Sequence, residues 1–195
     1  MTSKLGFDRA ALRFLFFNML IILCNLKKAR VVHRGIKPEN LCINENVNLV
    51  LVDFEIAVQL LQTETIARED IKDILCDDQL TGTSLYIPPE TFHNLEYSFA
   101  SDMWAVANVV CDLHSHVLPW NMDEIIGGTE VFRIITCNEA TKPPNMDDAI
   151  WGLLQWIYKP REQRITCEEA LVDSLFRGLS ESALFGFQPD TQVIR

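Results

Sequence analysis

The chain has 195 residues, 48% of them hydrophobic, and a formal net charge of −10 at neutral pH. That length and apolar content suit one compact domain with a single core. The acidic balance, with no basic stripe anywhere along the chain, excludes recognition of a phosphate backbone, so no nucleic-acid partner is expected.

The first predicted element is a helix. Residues 14–26 are nearly all apolar, and Leu12, Leu15, Phe16, Met19, Ile22, Leu23 and Leu26 recur at helical spacing. Lys4, Arg9 and Arg13 precede the run and imitate the start of a secretory signal. Such a helix rises only about 20 Å, short of the roughly 30 Å hydrocarbon core of a bilayer. Asn18 and Asn25 would lie inside it, and Lys27, Lys28 and Arg30 follow it where a small-residue cleavage site belongs. The expectation is a buried core helix and no membrane partner.

Next comes the octet His33-Arg34-Gly35-Ile36-Lys37-Pro38-Glu39-Asn40. A hairpin pattern follows over 41–44 and 49–52, with Asn and Glu residues in the turn, and it leads into Asp53-Phe54-Glu55. Residues 53–90 read as a long polar segment whose middle is made acidic by Asp70, Asp73, Asp77 and Asp78. It closes on Gly82-Thr83-Ser84-Leu85-Tyr86-Ile87-Pro88-Pro89-Glu90. Ser101-Asp102-Met103-Trp104 opens an apolar run that predicts a central helix over 99–117. Further helical patterns lie at 122–135, 147–158 and 166–175, separated by Pro119 and by Pro143-Pro144, which halt helices. Thr166 and Glu169 have the spacing of a capping box, and Arg164 stands just before them. Past Gly178 the pattern thins, so the domain is read as 1–178 with a tail at 179–195. No internal repeat or low-complexity tract appears.

Taken together, five of these stretches resemble, in order and spacing, the motifs of the serine/threonine protein kinase family. The octet is similar to the catalytic loop, with Gly35 where the catalytic aspartate belongs. Asp53-Phe54-Glu55 stands in the position of D-F-G, and residues 82–90 in that of the stretch ending in A-P-E, with Pro88 for alanine. Asp102 and Trp104 resemble the start of the central helix, and Arg164 the late arginine that pairs with the A-P-E glutamate, here Glu90. The resemblance implies a mainly α fold: a kinase C-lobe helical bundle with a small β-hairpin beside the catalytic loop. No G-x-G-x-x-G occurs, and the catalytic loop starts at residue 33, so the N-lobe is expected to be absent.

The resemblance also implies roles. Kinases transfer a phosphoryl group mainly by positioning and charge neutralisation, with an aspartate at the substrate hydroxyl. Gly35 marks that lost base, while Lys37 is the retained lysine of the loop. Asn40 and Asp53 correspond to the magnesium ligands, and Cys42 lies where the adenine packs. With two protein oxygens and no clamped phosphate, any metal is expected to bind weakly, and capping the surrounding loops is the alternative role for both residues. Glu55 replaces a flexible glycine and is expected to restrict the backbone there. His33, Arg34, Phe54, Glu90, Asp102 and Arg164 are scaffold positions. Arg34 has two open readings: it receives a phosphorylated Thr63, Thr65, Thr81 or Ser84, or it bonds loop carbonyls.

These readings imply a pseudokinase that works as a binding or regulatory module and needs no cofactor. The alternative is a fragment of, or a weakly active, serine/threonine kinase using ATP and magnesium. The apolar residues Leu41, Cys42 and Ile43 would then form an uncovered face for a protein partner, such as a kinase N-lobe, a kinase substrate or a regulator. The six cysteines never form C-x-x-C, and several sit in apolar runs, which suits reduced thiols behaving as small hydrophobes in a cytoplasmic or nuclear setting.

Overall fold

The computed structural model describes residues 7–46, 48–60, 75–76, 80–120 and 128–179. Helix α1 (Arg9–Lys28) starts before the apolar run because Asp8 caps it: the carboxylate accepts from the Ala11 N–H at 2.8 Å. Lys27 and Lys28 complement the carbonyl end of the helix. Leu12, Leu15, Phe16, Met19, Ile22 and Leu23 are buried as the spacing predicts, Leu26 partly so, and Phe17, Leu20 and Ile21 are buried as well. The helix is therefore covered on most sides. By length and composition alone it could cross a bilayer, but here it supplies much of the core.

Four short strands follow: β1 (Val31–Val32), β2 (Leu41–Ile43), β3 (Leu49–Leu51) and β4 (Val58–Gln59). The expected hairpin forms from β2 and β3, antiparallel, with Cys42 opposite Val50, and each strand is one residue shorter than the pattern suggested. Asn44 turns the chain by accepting from the Asn46 and Asn48 N–H groups, both at 3.0 Å. The pairing of β1 with β4 was not foreseen, because two residues per strand are too few to show a period. Strand β5 (Leu75–Cys76) pairs with β6 (Glu96–Tyr97), which follows helix α2 (Pro89–Asn94). Among the described residues every sheet has two strands, so no N-lobe sheet is present there.

Helix α3 (Phe99–Ser115) is the axis of the molecule, with every residue from Ser101 to Cys111 buried. It ends before Val117 because His116 takes a left-handed φ of 56° and donates its N–H to the Asp112 carbonyl. Helix α4 (Gly128–Cys137) occupies the second half of the third predicted helix, whose first half lies outside the described residues. Helix α5 (Asp148–Ile157) is capped by Asp147, which accepts from Ala149 at 3.0 Å and Ile150 at 3.3 Å. Helix α6 (Cys167–Leu171) carries the capping box of Thr166 and Glu169. It stops short of Leu175 because Asp173 accepts from the Leu175 N–H at 2.7 Å and starts a separate turn, Ser174–Phe176.

One core joins α1, α3, α5 and α6, and the Phe176 ring lies 5.4 Å from both Phe16 and Phe17. Each buried Leu or Phe contributes roughly 1.5–3 kcal/mol relative to exposure. A smaller cluster gathers Trp104 and Trp120, stacked at 5.3 Å, with Val131 and Ile135 of α4. The architecture is mainly helical with a minor hairpin, and it presents the loop at residues 33–40 on one rim of the bundle.

Candidate functional site around the loop after the first strand

Asp102, in the first turn of α3, organises the loop. Its carboxylate accepts from the backbone N–H of His33 at 2.7 Å and of Arg34 at 3.0 Å, 69 and 68 residues away in sequence. Complete burial pushes its pKa up to about 7, against the opposing pull of the two N–H donors and of the Arg34 charge. His33 is buried too, and desolvation lowers its pKa. Its Nδ1 accepts from the Gly35 N–H at 3.2 Å, so the proton sits on Nε2, 3.2 Å from the Val52 carbonyl it bonds. The neutral ring therefore ties the loop to the end of β3.

Arg34 has φ 64°, the left-handed region that non-glycine residues rarely enter. The two N–H bonds on either side of this backbone turn hold it there. Its Nε donates to the Ile56 carbonyl at 2.7 Å, and its guanidinium lies 5.1 Å over the Tyr97 ring. Of the two sequence readings, bonding to a loop carbonyl is thus present in the geometry. Thr63 and Thr65 lie outside the described residues. Gly82 is required where it stands: with φ 107°, an added Cβ would come 2.7 Å from the Arg34 carbonyl oxygen.

The backbone at Gly35 makes no such demand. Its φ is not positive, and an added Cβ would meet the movable Ile56 Cδ1 at 3.3 Å and the His33 ring at 3.5 Å. Lys37 is half-buried on extended backbone ahead of the turn Pro38–Asn40. Asn40 is buried and donates its amide to the Gly35 carbonyl at 2.8 Å, closing the loop on itself. Asp53 is exposed, also in the left-handed region at φ 66°. Glu55, expected to restrict the backbone, has no positive φ; the left-handed residue of this stretch is Asp53. Asp53 and Asn40 together offer three side-chain oxygens, fewer than the octahedral shell of a magnesium ion takes.

Around this loop the rim is apolar and open. Phe54 sets its ring edge against His33 at 4.6 Å yet stays 43% exposed. Cys42 is exposed on β2, and Ile43 beside it is 60% exposed. Leu41 differs from the expectation: it is half-buried and packs on the core. Val52, just past the end of β3, is exposed as well, at 37%.

Below the rim the contacts close. Arg164 donates through two nitrogens to the two Glu90 oxygens, at 2.7 and 3.2 Å, and through one of them to the Ala100 carbonyl at 2.8 Å. Its guanidinium also stacks 5.0 Å over Trp104, and its side chain is 1% exposed. A second ion pair, Arg161 with Glu96 at 2.7 Å, was not read from the sequence. Neither was the chain in which Tyr158 donates to Asn108 at 2.9 Å and Asn108 donates to the Leu85 carbonyl at 2.7 Å. Asn108 inside an apolar run was the available signal, since a buried amide needs a partner.

With the geometry in view, the comparisons with known proteins are specific. The protein kinase domain family matches residues 1–176. MAP kinase kinase MKK1/SSP32 of Saccharomyces cerevisiae is 26% identical over 131 residues, covering 65% of this chain and 23% of that protein. The serine/threonine-protein kinase STE7 homolog of Candida albicans is 30% identical over 94 residues, 48% of this chain and 14% of its own length. CBL-interacting protein kinase 10 of Oryza sativa subsp. japonica is 30% identical over 182 residues, 91% of this chain and 38% of its own. The chain thus spans well under half the length of these relatives.

Proposed function

Because the chain belongs to the protein kinase domain family, we propose that it is a pseudokinase, impaired in phosphoryl transfer and acting as a protein-binding or regulatory module. The observation that carries this reading is Gly35. The fold has room for a side chain there and no conformational need for glycine, so what is missing is a chemical group and not a shape. Loss of a general base typically lowers a rate by about 10² to 10⁴. The described residues build no N-lobe sheet over the rim, and positioning can supply roughly 7–11 kcal/mol of a barrier. ATP and magnesium are therefore not cofactors of the proposed activity.

The exposed side chains of Cys42, Ile43, Val52 and Phe54, on and just after the hairpin, support association with a protein. The occupant we propose is a kinase N-lobe from another polypeptide segment, with a kinase substrate or regulator as the next class. Free thiols at Cys24, Cys42, Cys111, Cys137 and Cys167 support a reducing compartment, cytoplasmic or nuclear. The net charge of −10 supports a partner that is not nucleic acid.

A second reading is favoured by one observation, the partial coverage of serine/threonine kinases by this chain: it is a fragment of, or a weakly active, enzyme of that kind. Thermal-shift titration with ATP and magnesium separates the two. The module gives no shift and no phosphate transfer from labelled ATP to a generic protein substrate. A shift of several degrees, with transfer abolished by Asp53→Ala, establishes the enzyme instead.

A further inference from the structure

On the side of the bundle where α1 meets α6, two core cysteines and a carboxylate converge. Cys24, near the end of α1, and Cys167, the first residue of α6, are 7% and 3% exposed. The two thiol sulfurs and a carboxylate oxygen of Glu168 all lie within 4.8 Å of one another. The Cys167 thiol donates to Glu168 Oε2 at 3.2 Å, and Lys27, one turn after Cys24, donates to the same oxygen at 3.1 Å. A cleft of about 250 Å³, lined by Lys27, Thr166 and Cys167 among others, reaches this point.

We propose that Cys24, Cys167 and Glu168 form a binding site for a thiophilic divalent cation of the zinc type, clamping α1 to α6. The donor chemistry suits it, since zinc takes cysteine sulfur at about 2.3 Å and carboxylate oxygen at about 2.0–2.2 Å. A tetrahedral ion at those lengths sets its sulfurs about 3.8 Å apart. The present separations need side-chain shifts of about an ångström to reach that geometry. Glu168 is exposed, so water is available for a fourth position.

Charge balance favours the ion. Binding releases two protons, one from each thiol, and leaves two thiolates and a carboxylate around a dication. The single surplus negative charge is neutralised by Lys27, already in place. Two cysteines serving only as small hydrophobes would have no use for a carboxylate against their sulfurs.

The test uses the full chain under reducing conditions, with Cys42→Ser, Cys76→Ser and Cys137→Ser removing competing thiols. Cadmium is titrated as the probe, and its thiolate charge-transfer absorption is read in the ultraviolet. One equivalent binds and is displaced by zinc. Cys24→Ser and Cys167→Ser each weaken binding at least about 100-fold, and the surface change Glu168→Gln weakens it roughly 10-fold. Should the cysteine variants fail to fold, alkylation of the unsubstituted chain decides: zinc shields Cys24 and Cys167 against reagent in mass-spectrometric peptide maps, while Cys42 stays reactive. Equal alkylation with and without zinc overturns the site. So does cadmium affinity indifferent to Glu168→Gln.

Discussion

The rim around Gly35 and the buttress around Arg164 belong to one fold but are held in different ways. In the buttress every charged group is met. Arg164 has Glu90, the Ala100 carbonyl and the Trp104 face, and Asp102 has two backbone N–H donors. On the rim the chain carries exposed apolar side chains, an exposed Asp53, and a glycine at the position where the family resemblance puts an acid. A carboxylate buried for structural reasons is costly to lose, because its partners are stranded. One presented to solvent for chemistry can disappear with little effect on folding. The contrast separates the residues that hold the fold together from those exposed on its rim.

The strongest challenge to that contrast is Arg164→Ala. It strands Glu90 in a half-buried position and removes packing from Trp104, so urea denaturation is expected to show a loss of about 3–5 kcal/mol. A loss under about 1 kcal/mol would mean that the buttress does not hold the fold.

Asp102 tests the same region through pH. Its folded-state pKa, about 7, is raised above the ordinary carboxylate value of 3.8. Between those values the folded state holds the proton more tightly than the unfolded chain does. The contribution is therefore full at low pH and declines as pH rises towards 7, by at most about 1.4 kcal/mol per pH unit. In Asp102→Asn that slope vanishes, although the amide keeps only one acceptor oxygen for two N–H donors. Urea midpoints at pH 4.5 and 6.5 are expected to show wild type losing stability relative to the variant. Parallel profiles would remove Asp102 as the titrating group.

Gly35→Asp sharpens the comparison from the rim. The added side chain displaces Ile56 Cδ1 slightly, so stability is expected to change by no more than about 1 kcal/mol. Phosphate transfer stays undetectable, since a base without an aligned nucleotide has nothing to act on. Appearance of transfer in that variant would show the rest of the machinery to be intact.

The smallest expected effect on folding is that of Ile43→Asp, on the open hairpin. Denaturation is expected to move by no more than about 0.5 kcal/mol, as for surface positions generally. Retention of a captured protein partner is expected to fall sharply. If folding suffers and capture does not, the patch is part of the core and not a docking face.

Much of the fold was legible along the chain. The apolar spacing of α1, the long run of α3 and the prolines between helices are local signals, and the helices appear where those signals lie. The Thr166 cap is equally local, because four residues contain both of its partners. Asp8 was missed because a cap outside the apolar run is easily passed over, and β1 with β4 because pairs of residues carry no period. At the candidate site, Glu90 with Arg164 and Asp102 with His33 could be named only through family resemblance. Nothing in spacing alone predicts a pair 74 residues apart.

What the amino-acid order determined by itself is the longer helices, because periodicity and capping act within a few residues. Tertiary structure alone decided which distant groups meet: Asp102 under the loop, Tyr158 on Asn108, and Cys24 beside Cys167 across two packed helices. These contacts depend on how buried faces align, and that alignment is settled by the packing of the whole core and not by any one stretch of chain.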